Sequence, residues 1–157
     1  MLYLLEPEVA GELGENTVIN NFNSVRLKGE QPEIKHLHYH ITGWLEDDIL
    51  ECTPGFIISE KLATDIKKSN INGYIIDDVD ISASDEFYEM YPNRKLPKFY
   101  RLIPTGIIEV MNNNYFNWSG EDMCLTGKSY LVVTESALNI LKKHSLNNCD
   151  ISPLREA

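Results

Sequence analysis

Basic residues are scarce in this chain: 14 Lys and Arg stand against 24 Asp and Glu over 157 residues, a formal charge of −10. The scarcity is local as well. No Lys or Arg lies between Lys35 and Lys61, where Glu46, Asp47, Asp48, Glu51 and Glu60 fall. None lies between Lys68 and Arg94, where Asp77, Asp78, Asp80, Asp85, Glu86 and Glu89 fall. Beyond solubility, such a surface repels nucleic acid and anionic membrane and attracts cations or basic proteins.

Cysteine is also sparse. Cys52, Cys124 and Cys149 are odd in number, far apart and without a C-x-x-C pair, which excludes a disulfide framework or zinc ribbon and leaves buried free thiols. Long apolar runs are missing. The opening "LYLL" stops at Glu6 without a basic segment before it, far short of the roughly 20 apolar residues of a membrane span, so a cytoplasmic protein without anchor or export signal is expected. There is no G-x-S-x-G, no glycine-rich phosphate loop and no H-E-x-x-H. The carboxylate pairs Asp47–Asp48 and Asp77–Asp78 are adjacent in sequence, which splays them rather than opposing them as acid and base. Nothing here compels catalysis, and no cofactor is expected.

What is present is a folded composition, 43% hydrophobic and 24% charged, of a length that suits one domain over residues 1–157. Within it, "FIISEKLATDIKKSNINGYII" (56–76) superimposes without a gap on "LVVTESALNILKKHSLNNCDI" (131–151). The identities are Glu60/Glu135, Lys67/Lys142, Lys68/Lys143, Asn72/Asn147 and Ile76/Ile151. Each copy opens with an apolar run and reaches Ser59 or Thr134, whose hydroxyl suits an N-cap, followed by a glutamate at the positive helix end. Leu62, Ala63 and Ile66 match Ala137, Leu138 and Leu141 as a core-facing stripe. Paired lysines then suit the last turn. Asn72–Gly73 and Asn147–Asn148 end the units with residues that tolerate the left-handed conformation. His144 falls in the last turn of the second helix, a structural place for an imidazolium.

Two strand–helix–strand units of this kind, a duplicated packing unit rather than paired sites, predict an α+β domain with a mixed, sheet-rich core. One short extra helix is predicted at "SASDEFYEMYP", capped by Ser82 or Ser84 and stopped before Pro92. "GELGEN" reads as loop, "IKHLHYHITGWL" as one strand, and "LPKFYRLI" and "GIIEVM" as a hairpin about Pro104–Gly106. "NNNYFNWSGED" reads as a long polar loop with more aromatics than a passive loop needs.

Three of the four histidines, His36, His38 and His40, alternate with Leu37, Tyr39 and Ile41. On a strand the apolar set faces the core and the histidines face solvent or a groove. Same-face neighbours lie about 6.6 Å apart, so two histidines converge on a metal more readily than three. Cupins use such an H-x-H pair with a glutamate shortly after it. Here that window holds Thr42 or Gly43, or Trp44 or Leu45, and Glu46 comes one residue late. A solvent-facing ladder is the main reading. A cupin-like metal-dependent enzyme using His36, His38 or His40 is the alternative.

"LEPEVAGELGENTVIN", "LHYHITGWLEDDILE", "SDEFYEMYPNRKLPKFYRL" and "YLVVTESALNILKKHSLNNCDIS", in that order over most of the chain, resemble the myxobacterial-type immunity proteins of bacterial polymorphic toxin systems. The resemblance implies a non-enzymatic protein that binds and neutralises a cognate toxin; it carries no site residues with it. Many delivered toxins are basic, and an acidic partner speeds encounter with them. From the residues, three acidic stretches are candidate partner-binding sites. The first is Trp44 with Glu46, Asp47 and Asp48. The second is Asp77, Asp78, Asp80, Asp85 and Glu86. The third is Trp118 with Glu121 and Asp122.

Overall fold

The computed structural model describes residues 1–30, 32–43, 46–52 and 54–157. It is an α+β fold. The N-terminal part runs β1 (Leu2–Glu6), β2 (Gly11–Leu13), β3 (Val18–Ile19), α1 (Phe22–Lys28), β4 (Ile34–His36), β5 (His38–Ile41) and β6 (Ile49–Glu51). The middle runs β7 (Phe56–Ser59), α2 (Glu60–Lys68), β8 (Tyr74–Asp77), β9 (Asp80–Ala83), α3 (Asp85–Met90) and β10 (Phe99–Pro104). The rest is β11 (Gly106–Ile107), β12 (Glu109–Met111), β13 (Asn114–Phe116), β14 (Met123–Leu125), β15 (Leu131–Thr134), α4 (Glu135–Leu141) and β16 (Asp150–Glu156).

The strands, N-caps and core stripes of the repeat fold as its sequence reads, while the unit ends differ: α4 stops at Leu141, before Lys142, Lys143 and His144, and of the turn residues Asn72, Gly73, Asn147 and Asn148, Gly73 alone takes positive φ. Ser59 accepts the Leu62 N–H and Thr134 accepts the Ala137 N–H, capping α2 and α4 at equivalent turns. Leu62, Ala63, Ile66, Ala137, Leu138 and Leu141 are all buried in one core with Ile58, Leu102, Leu5 and Val133. Gly73 turns the first unit with φ 85°; a Cβ there would stand 2.6 Å from the Met123 carbonyl oxygen, so both conformation and space require glycine.

The duplication extends beyond those segments. In one sheet the order is β6-β7-β10-β8; within the seven-stranded sheet the stretch β14-β15-β1-β16 repeats it. The registers agree residue for residue. Tyr100 faces Ile58 and Leu102 faces Ile76 in the first unit; Tyr3 faces Val133 and Leu5 faces Ile151 in the second. The central strand of the first unit is β10, which follows its helix, whereas that of the second is β1, at the start of the chain. "LYLL" is therefore the middle of a sheet.

The seven-stranded sheet runs β11-β14-β15-β1-β16-β13-β12, and β11 and β12 are joined through buried Ile108, so the sheet nearly closes around Leu2, Cys124, Val132 and Leu154. Three expected loops and turns differ here. Asn112 and Asn113 both take positive φ, and with both central residues left-handed they turn β12 into β13 as a tight hairpin within the stretch read as loop. Pro104–Gly106 does not close a hairpin, because β11 leaves β10 to pair in parallel with β14. "GELGEN" contributes β2, recruited by long-range pairing with β5.

A three-stranded sheet, β2-β5-β9, packs one face on the first unit: Leu37, Tyr39 and Ile41 meet Leu50, Ile57, Phe99 and, from α3, Phe87. The buried Tyr39 hydroxyl accepts the Ala10 N–H and donates to the Glu51 carbonyl. Ser84 caps α3, while Ser82 lies in β9. The histidine stretch is two strands, since the chain breaks at Leu37 and β4 pairs with β3 instead. The layers are thus helices α2 and α4, the four-stranded sheet, the three-stranded sheet, and then the polar face that carries the histidines.

Candidate functional site

The three acidic stretches have different fates. Trp44 lies outside the described residues. Asp47 and Asp48 are buried, 3% and 7% exposed, which runs against a partner-binding role for them. Asp47 accepts the N–H groups of Asn147 (2.9 Å) and Asn148 (2.8 Å) and the Ser145 hydroxyl. Asp48 accepts the Ser145 N–H at 2.7 Å, and its own N–H donates to the Ser145 carbonyl. These two carboxylates tie down the loop that leads from α4 to β16 by accepting its N–H groups at Ser145, Asn147 and Asn148. Glu46 is exposed and accepts from the Asn148 side chain.

Asp122 performs the same task on the other unit. It accepts the Asn72 N–H and the Thr134 hydroxyl, and Asn72 accepts the Asp122 N–H in return. The third candidate stretch is therefore partly structural too. Trp118 is 39% exposed, stands edge-on to Tyr115, and donates its indole N–H to the Glu121 carbonyl; Glu121 accepts the Ser119 hydroxyl. His144, half-buried beyond the end of α4, bonds Asp65 at 2.6 Å and stands 4.0 Å from Asp48, a tie between the two units.

The second stretch stays outside. Asp77, Asp78, Asp80, Asp85 and Glu86 are all exposed along the segment from the end of β8 to the first turn of α3. Asp85 and Glu86 also suit the positive end of that helix. Asp80 is held at 2.7 Å by His36.

His38 and His40 line a groove. β5 lies between β2 and β9, so Glu12, His40 and Ser82 fall in one row across three strands and His38 stands beside Asp80 in the next. The groove, of about 720 Å³, is lined by Glu12, Glu15, Asn16, His38, Asp80 and Ser82, among others. The Ser82 hydroxyl lies 2.6 Å from His38 Nε2 and 2.7 Å from His40 Nδ1. His38 is 7% exposed, deeper than a solvent-facing ladder implies. Its ring fits because position 14 is glycine; a Cβ there would overlap it. Among the described residues no three His, Cys, Asp or Glu side chains are placed to hold a metal ion.

Ser82, Glu12 and Asn16 were not legible as site residues. The one signal was that Asp80-Ile81-Ser82-Ala83 alternates polar and apolar exactly in step with His38-Tyr39-His40-Ile41, but the pairing itself spans 42 to 44 positions. Burial disfavours the thiolate at all three cysteines. Burial pushes Cys52 and Cys149 up to about 12, and the Cys124 thiol is also raised, again mainly by burial. Among the described residues no helix is long and apolar enough to cross a membrane. Comparisons with protein-family models, with characterised proteins and with solved structures find no match to this chain.

Proposed function

We propose that this chain is an immunity protein that acts in the cytoplasm by binding a basic toxin through the acidic segment from Asp77 to Glu86. The observation that carries the reading is the exposure of all five carboxylates on that unbroken segment, in a chain of charge −10. Their counterparts at Asp47 and Asp48 are turned inward. Asp80 pairs with His36 and Asp77 accepts the neighbouring Asp78 N–H, contacts made at the surface that leave the segment open to a partner's lysines and arginines. The field of the carboxylates reaches about 10 Å at 0.1 M salt, which speeds encounter and makes association salt-dependent. The resemblance to immunity proteins supports the same reading.

The test is capture of partners from the native cell with a tagged copy, followed by expression of the captured protein alone and together with this chain. Toxicity relieved by co-expression supports the reading. A captured partner that is harmless alone contradicts it.

A further inference from the structure

The groove on the outer face of the three-stranded sheet carries a chemistry that binding to a basic protein does not use. Donor accounting fixes the proton positions along it. The Asn16 N–H donates to His38 Nδ1 at 3.1 Å, so that nitrogen carries no proton and, in the neutral ring, Nε2 does. His38 Nε2–H therefore donates to the Ser82 hydroxyl oxygen at 2.6 Å. The Ser82 proton is then directed at His40 Nδ1, 2.7 Å away. A hydroxyl whose proton points at an imidazole nitrogen, with a second imidazole donating to its oxygen, is a nucleophile paired with a base at the distance such pairs require.

We propose that Ser82 is an activated nucleophile with His40 as its base, and that the groove accepts a small carboxylic ester or thioester. Two further features support the assignment. Ser82 is part-exposed and lines the groove, so the hydroxyl is reachable. Glu12 is the register partner of His40 on the opposite side from Ser82, so an exposed carboxylate is carried on the strand next to the imidazole. The inference is independent of the toxin-binding reading, which concerns the neighbouring acidic segment.

The step balances with an ester or thioester and water. Ser82 Oγ attacks the acyl carbon and its proton passes to His40 Nδ1. The bond to the leaving oxygen or sulfur breaks, and the departing alcohol or thiol takes that proton. Water then attacks the acyl carbon and gives a proton to His40 Nδ1. The acid leaves as Oγ regains the proton from His40. His38 Nε2–H holds the Ser82 hydroxyl in place before attack and donates to Oγ as it departs from the acyl carbon in the second half.

The test is labelling of the full chain with a fluorophosphonate, read by intact mass and peptide mapping. The expected result is one adduct, on Ser82, absent in Ser82→Ala and formed about 100-fold more slowly in His40→Gln. No adduct on Ser82, or an unchanged rate in His40→Gln, overturns the proposal. Should Ser82→Ala fail to fold, Ser82→Cys keeps the question open to measurement: its new thiol is expected to react with iodoacetamide well before Cys52, Cys124 and Cys149. Equal reactivity of all four overturns it.

Discussion

Glu46–Asp48 and Asp77–Glu86 are alike in composition and opposite in use. In the first, Asp47 and Asp48 are buried and hold the amides and hydroxyl of the Ser145–Asn148 loop. In the second, five carboxylates are exposed. A carboxylate goes inside only where several N–H and O–H groups replace its water, and the loop after α4 supplies them. The five carboxylates of the Asp77–Glu86 segment are exposed, Asp80 beside His36, so their charge faces solvent and partners. Asp122 belongs with the inward group, since it serves Asn72 as Asp47 serves Asn147.

The largest effect should come from the inward group. Asp47→Ala takes the carboxylate partner from two part-buried amides and a hydroxyl and is expected to cost about 3 kcal/mol, a fall in Tm of roughly 10 °C by thermal melts. An unchanged Tm would erase the distinction between the two segments. Asp122→Ala should cost less, about 1.5 kcal/mol, because Asp122 is only partly buried and serves one amide and one hydroxyl.

These partnerships mark where sequence reading stops. Caps and stripes of α2 and α4, and the alternation about His38, were legible because each depends on residues within one element. The burial of Asp47 was not, because its partner Asn147 lies 100 positions downstream. Ser82 was missed for the same reason: it meets His38 only through the parallel pairing of β5 with β9. "NNNYFNWSGED" hid a hairpin because its turn rests on two asparagines with positive φ, a weaker signal than Asn-Gly.

Glu51 is a carboxylate of a third kind. It is half-buried, and its carboxyl is raised above the usual range, first by desolvation and then by Glu6. The folded state therefore holds the Glu51 proton more tightly than the unfolded chain does. That contribution to stability is present below the unfolded value of 4.5 and is lost as pH rises through the raised value. At pH 7, Glu51→Gln should change stability by no more than about 0.5 kcal/mol and in the favourable direction. A loss comparable to that of Asp47→Ala would mean that burial alone, rather than the amides, decides which carboxylates support the fold.

The smallest effect on stability is expected at the outward group, and the largest on binding. The direct measurement is titration of the captured partner, at low and moderate salt, against a variant carrying Asp77→Lys, Asp78→Lys, Asp85→Lys and Glu86→Lys. The expected result is a Tm within a few degrees of the parent, affinity at least about tenfold weaker, and a reduced salt dependence. Unchanged affinity and unchanged salt dependence would contradict it and place the interface elsewhere.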